Sequence, residues 1–180
     1  MAMLSLNMPA LSQIAAEADL DFQRRASYRI FSESQGTTAE NLTDMIIPSV
    51  EGRPGAFEAG VSYFIDRAIE GHAAPQRSLI LSGLDAFRRQ VAPTVNSDQT
   101  ATNFAQLTWN QRAEHVRLIE NSAFFNQFRV LTIQGMFAHP RHGGNRDKLG
   151  WAMIGFDNRH AWMPPFGYYD AEEHAPGSDR

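Results

Sequence analysis

The chain has 180 residues, a formal net charge of −4, 43% apolar residues and no cysteine. That length and apolar content suit one domain with a single buried core and exclude a largely disordered polymer. Scattered Lys and Arg offer no concentrated positive face for nucleic acid, and without thiols there are no disulfides, thiolate zinc sites, iron–sulfur clusters or covalently attached c-type haem.

In chain order, residues 1–36 read as an N-terminal arm. Leu11, Ile14, Ala15, Ala18 and Phe22 recur at helical spacing after Pro9, which predicts an amphipathic helix suited to docking. Arg24-Arg25 with Tyr28, Ile30 and Phe31 faintly resembles a twin-arginine export signal, but Ser32-Glu33-Ser34-Gln35-Gly36 cannot form its apolar core. Thr37-Thr38-Ala39-Glu40 reads as a capping box, opening a helix that turns Leu42, Met45 and Ile46 inward and ends at Pro48. A polar turn with Gly52, Pro54 and Gly55 precedes a helix carrying Phe57, Val61, Phe64, Ile65, Ala68 and Ile69 on one face. Gly71 is expected to end it in a left-handed conformation.

Pro75 suits the first turn of the next helix. Its stripe is Leu79 or Ile80, then Leu84, Phe87 and Val91, with Arg88 and Arg89 toward the C-terminal end. Residues 92–106 read as a polar connection with Phe104 held to the core. Thr108 and Gln111 form a second capping box, starting a helix through Val116 and Ile119. Asn121-Ser122 breaks the chain before a buried helix on which Phe125, Phe128, Thr132, Gly135 and Met136 share a face. Phe124, Leu131 and Ile133 are expected to broaden that face, and Pro140 forces a stop near His139.

No useful period-two alternation occurs, and no apolar run reaches the roughly 20 residues that cross a bilayer, so no direct membrane span is expected. The expected fold is all-α: a single helical domain of about five to six helices over residues 37–156, with extended N- and C-terminal arms. Residues 157–180 form the second arm. There Trp162, Phe166, Tyr168 and Tyr169 are interleaved with Pro164 and Pro165 and cannot bury themselves in a regular element. Such rings suit an interface with another protein.

The chemistry-bearing residues are sparse. His139 and His142 are separated by Pro140 and cannot share a helical face, and adjacent Glu114-His115 points two ways, so no metal set is expected. Asp66, Asp85 and Glu58 read as solvated acids or ion-pair partners. There is no Gly-x-Ser-x-Gly elbow, and Gly143-Gly144 lacks the dinucleotide pattern and its flanking strand. No cofactor is expected in this chain.

One run carries a resemblance. Phe137-Ala138-His139-Pro140, Gly143-Gly144-Asn145-Arg146-Asp147, Gly150-Trp151 and Ile154-Gly155-Phe156 follow Leu42-Thr43-Asp44-Met45-Ile46-Ile47-Pro48 and Gly55-Ala56-Phe57-Glu58-Ala59-Gly60-Val61. In this order they are similar to the blocks of the gluconate 2-dehydrogenase subunit 3 family, over about residues 38–156. The resemblance implies a small, non-catalytic, cofactor-free subunit. It would bind and stabilise an FAD-containing flavoprotein of the glucose-methanol-choline type that oxidises a sugar, glycoside or sugar acid, with a cytochrome c subunit as a common electron acceptor. FAD then belongs to the partner.

The candidate interface residues are Asn145, Arg146, Trp151, Trp162, Phe166, Tyr168 and Tyr169. For the corner around Asn145 an internal role stands beside the interface one. In that role Arg146 would fork onto helix-end carbonyls or Asp66, Asn145 would cap a turn, and Trp151 would pack on Phe125 and Phe128. Many members of the family carry an export signal. Without one, this chain is expected to be cytoplasmic as synthesised and periplasmic only if an exported partner carries it. The competing readings are a stand-alone helical enzyme with a metal or acid–base site, and a free helical adaptor.

Overall fold

Ser32 opens the first helix. Its hydroxyl oxygen accepts the Gln35 amide at 3.2 Å while the Gln35 side chain accepts the Ser32 amide at 3.0 Å, a complete capping box. In this computed structural model, which describes residues 27–97, 103–140 and 144–156, α1 therefore spans Glu33–Ile46. The expected start at Thr37 is corrected by one turn: Thr37 and Thr38 sit inside the helix and donate their hydroxyls to the Glu33 and Ser34 carbonyls. The helix predicted within the N-terminal arm and the aromatic residues of 157–180 lie outside the described residues.

Helix α2, Val61–Glu70, begins only after Gly60, whose left-handed φ of 66° no side chain there would favour. Phe57 consequently falls in the preceding turn rather than on the helix. Gly71 closes α2 at φ −106°, not in the expected left-handed state, and its amide is shared between the Arg67 and Ala68 carbonyls. Every residue of α2 from Val61 to Ile69 is buried, polar ones included. A helix covered on all sides is the centre of its domain.

Pro75 lies in a 3₁₀ turn, Ala74–Gln76, that leads into α3, Arg77–Ser97. Of the two alternatives, Ile80 is the buried one; Leu79 is 37% exposed. Helix α3 runs through Pro93 to Ser97, overturning the loop expected from residue 92. Contacts with the next helix hold this extension: His115 Nε2 lies 2.9 Å from Thr94 Oγ1, and Gln90 Nε2 donates to the His115 carbonyl at 3.0 Å. Phe104 packs edge-on against Phe87 at 5.2 Å, as expected.

Thr108 and Gln111 form the expected capping box for α4, Trp109–Arg117. That helix stops short of Ile119 and leaves Leu118 exposed. Ser122 caps α5, Ala123–Phe137, which packs against α1, α2 and α3. Phe125, Phe128, Thr132, Gly135 and Met136 are all buried, as are Phe124 and Leu131. Ile133 is not: at 42% exposure it stands outside the stripe it was expected to widen. A short α6, Leu149–Met153, folds back onto α5. The described chain is all-α, with six helices and one isolated bridge, between Val50 and Arg53.

His72 follows α2 with its ring 6.1 Å from that of Phe64. Burial lowers its pKa from 6.5. The unfolded chain therefore takes up a proton before the folded one does, so stability is complete above about pH 6.5 and falls as the pH drops below it. Thermal melts between about pH 7.5 and pH 5.5 should show this decline, and His72→Gln should flatten it. An equally steep decline in the variant would assign the acid sensitivity to other groups.

Candidate functional site

The segment after α5 is built around Asn145. Backbone geometry sets it up: Asn145, Asp147 and Lys148 all have positive φ, a conformation that Asn and Asp tolerate better than most side chains. Asn145 is wholly buried, and its amide group ties three stretches together. Nδ2 donates to the Ala138 carbonyl at the end of α5 (3.1 Å), while Oδ1 accepts the amides of Gly150 (2.9 Å) and Trp151 (3.4 Å) at the start of α6. The Asn145 amide itself donates to the Gly135 carbonyl. One side chain thus satisfies the loose end of one helix and the beginning of the next.

Backbones approach closely here. A Cβ on Gly150 would land on the Met136 carbonyl oxygen, and one on Gly144 (φ +94°) would land on Gly135. Gly135 itself faces the other way, where an added Cβ would come within 2.8 Å of Phe64 and 2.9 Å of Val61 on α2.

Trp151 is 7% exposed, and its indole donates to the Phe137 carbonyl at 2.9 Å. Its ring meets His139 at 5.2 Å and Phe156 at 5.1 Å, both edge-on. It therefore packs at the C-terminal end of α5 and not in the cluster holding Phe125 and Phe128. Arg146 pairs with its neighbour Asp147 at 3.0 Å. The expected pairing with Asp66 does not form, because Asp66 is committed elsewhere. Of the corner's three candidates, Asn145 and Trp151 face inward and Arg146 is partly buried, its side chain 24% exposed. Trp162, Phe166, Tyr168 and Tyr169 lie outside the described residues.

Of the two readings of Asp66, solvated acid or ion-pair partner, the structure shows the second: it is wholly buried on α2 and paired with Arg67. Oδ1 accepts the amides of Ile30 (3.0 Å) and Phe31 (2.8 Å); Oδ2 accepts the Arg29 amide and the Arg67 guanidinium, each at 2.8 Å. Arg67 is just as buried. Tyr28 completes this clasp: it stacks on Tyr63 at 4.6 Å and donates its hydroxyl to Glu40 at 2.9 Å. Burial pushes the Tyr28 phenol far above its ordinary pKa, so it stays a donor. A hint was available, since Asp66-Arg67 sits between Ile65 and Ala68 in a helix with little polar surface to spare.

Two other features are chemically plain. Glu58 accepts hydrogen bonds from the Ser49 hydroxyl (2.5 Å) and the Gly55 amide (2.8 Å); desolvation alone would raise its pKa, but these bonds outweigh it and hold the carboxyl below its usual range. An open groove of about 810 Å³ runs between α1 and α3, lined by Glu33, Asp85, Arg88 and Arg89 with Phe87 and Phe104. Among the described residues no group of three His, Asp or Glu is placed to hold a metal ion, and no helix is long and apolar enough to cross a membrane.

The outer surface carries apolar side chains. Val130 and Ile133 on α5 are each 42% exposed, and Ile154 and Phe156, just after α6, are 59% and 49% exposed. Sequence reasoning missed them because it placed Ile133 with the core and gave Val130 no role. The separate i, i+3 spacing of Val130 and Ile133, off the Phe125–Phe128–Thr132 face, was the available signal.

Comparison with curated proteins and with solved structures returns no match. The model of one protein family, gluconate 2-dehydrogenase subunit 3, matches residues 33–157, from the first residue of α1 to just past Phe156. That span takes in α1, the central α2 with its buried Asp66 and Arg67, and the Asn145 corner, and on it we conclude that the chain belongs to the gluconate 2-dehydrogenase subunit 3 family.

Proposed function

We propose that this chain is the non-catalytic small subunit of an FAD-dependent sugar or sugar-acid dehydrogenase. In this reading it binds and stabilises the flavoprotein subunit, of the glucose-methanol-choline type, and aids its maturation or export. FAD and the hydride chemistry belong to that partner, and electrons pass on to an acceptor such as a cytochrome c subunit. The observation that carries the reading is the family match across the whole described helical body. The polar side chains with the most unusual surroundings agree with it, because Asp66, Arg67 and Asn145 are turned inward on backbone amides and each other, tasks of support. Exposed Ile154 and Phe156 sit where the Trp- and Tyr-rich C-terminal sequence begins, a composition suited to an interface.

Expression of the chain alone and together with its neighbouring flavoprotein tests the proposal. The pair should purify as a yellow complex of fixed stoichiometry, the flavoprotein should be less soluble without the small chain, and the small chain alone should be colourless. Trp162→Ala with Phe166→Ala should weaken the complex by roughly tenfold or more while leaving the helix content of the small chain unchanged. A flavoprotein that folds, takes up FAD and turns over at full rate without this chain would reject the proposal.

A further inference from the structure

Val130, Ile133 and Phe137 follow one another along α5 at steps of three and four residues, so they lie on one edge of the helix. The first two are 42% exposed and Phe137 is half-buried. The edge continues past the helix end, because the Trp151 indole is bonded to the Phe137 carbonyl and Phe156 packs on the Trp151 ring at 5.1 Å. Ile154, at 59%, and Phe156, at 49%, extend it. The other large exposed apolar residues in the described chain, Val50 and Leu79 on separate segments and Trp109 and Leu118 at opposite ends of α4, form no such series. Scattered single apolar residues are ordinary on a protein surface, whereas an aligned series marks an interaction face.

We infer that this α5–Phe156 stripe is the seat of the flavoprotein subunit, which meets it with a complementary face of aliphatic and aromatic side chains. The inference rests on the subunit reading above and adds to it the location of the contact. Three observations favour the flavoprotein over other occupants. The family is by its description one subunit of a dehydrogenase, so a different chain is the expected partner. The stripe ends at Phe156, where the Trp- and Tyr-rich sequence suited to the same interface begins. The opposite face of α5 is filled by α1, α2 and α3, so another chain can meet this helix only on the exposed face that carries the stripe together with Asn126, Arg129 and Gln134.

The absence of cysteine from the chain makes a clean test possible. Ile133→Cys places one thiol on the stripe, and Leu118→Cys places one on a residue that is 75% exposed and off it. Each full-length variant is treated with a maleimide, alone and in the co-purified flavoprotein complex, and labelling is read from the mass of the small chain. Cys at 133 should label as fast as Cys at 118 in the lone chain and slow by roughly tenfold or more in the complex, since an occluded thiol reacts only through opening. The thiol at 118 should be unaffected. Val130→Cys repeats the measurement should the substitution at 133 disturb folding.

A thiol at 133 that remains reactive in an intact complex overturns the inference and leaves the subunit reading standing. Protection at 133 already in the lone chain also overturns it, giving the stripe to the chain's own C-terminal segment or to a second copy. Failure of the unsubstituted chain to form any complex removes the subunit reading and the stripe assignment together.

Discussion

Asp66→Ala is expected to lower the stability of the folded chain by about 3–5 kcal/mol, the range seen when one partner of a buried ion pair is removed. The figure follows from what is left behind. Arg67, at 2% exposure, loses the carboxylate bonded to it at 2.8 Å, and the amides of Arg29, Ile30 and Phe31 lose their acceptors. Denaturant unfolding measures the loss. Hydrogen exchange at residues 29–31 separates the local contribution, since those amides should lose protection first.

Arg67→Met in the Asp66→Ala background should restore part of the stability, because a buried pair replaced by apolar groups of similar volume is often neutral or better. A loss below about 1 kcal/mol, typical of exposed ion pairs, would show that the clasp opens readily in solution.

Asn145→Ala is the second large effect, about 4 kcal/mol or more. Two contributions add. Buried groups on α5 and α6 lose their partners, at about 1–3 kcal/mol for each group left unsatisfied. Alanine must also hold the left-handed φ of 48°, which costs about 1–2 kcal/mol. Asn145→Gly separates the two, since glycine adopts that conformation freely but makes none of the side-chain bonds; it should be milder than alanine by about 1 kcal/mol. Equal losses for both variants would place the whole effect in the hydrogen bonds. Paired melting curves with helix content followed by circular dichroism decide it.

These two residues mark the boundary of what the amino-acid order alone discloses. The helices were legible because apolar side chains repeat at the helical period, as in Phe125, Phe128, Thr132 and Met136, and because Thr108 and Gln111 form a local cap that needs no distant partner. Ser32-Glu33-Ser34-Gln35 and Thr37-Thr38-Ala39-Glu40 offer competing starts for α1. The amides of Arg29, Ile30 and Phe31 bonded to Asp66, a contact 35 residues away for Phe31, favour the earlier one. The run of α3 through Pro93 was hidden because a proline normally ends a helix, and only the contacts of Thr94 and Gln90 with His115 show why this one continues.

Asp66 was read as a solvated acid or an ion-pair partner, and the Asn145 corner as internal or interface; the sequence left both pairs of alternatives open. Polarity fails as a guide wherever tertiary structure supplies the hydrogen-bond partners. The glycine-rich turn and a capping role for its asparagine were readable; that the asparagine joins the end of α5 to the start of α6 was not.

The joint formed by Gly135, Asn145 and Gly150 also bears on how this sequence can change. Each position is hemmed in by a different neighbour: Gly135 by Phe64 and Val61, Asn145 by the amides it bridges, Gly150 by the oxygen of Met136. No single exchange relieves its own crowding, since the obstacle in each case is main chain or a residue of another helix. Saturation mutagenesis read out by folding should therefore find all three sites nearly intolerant, and a viable alternative would have to alter several of them at one stroke. A motif that looks like a string of letters is in this sense the shadow of a knot in space.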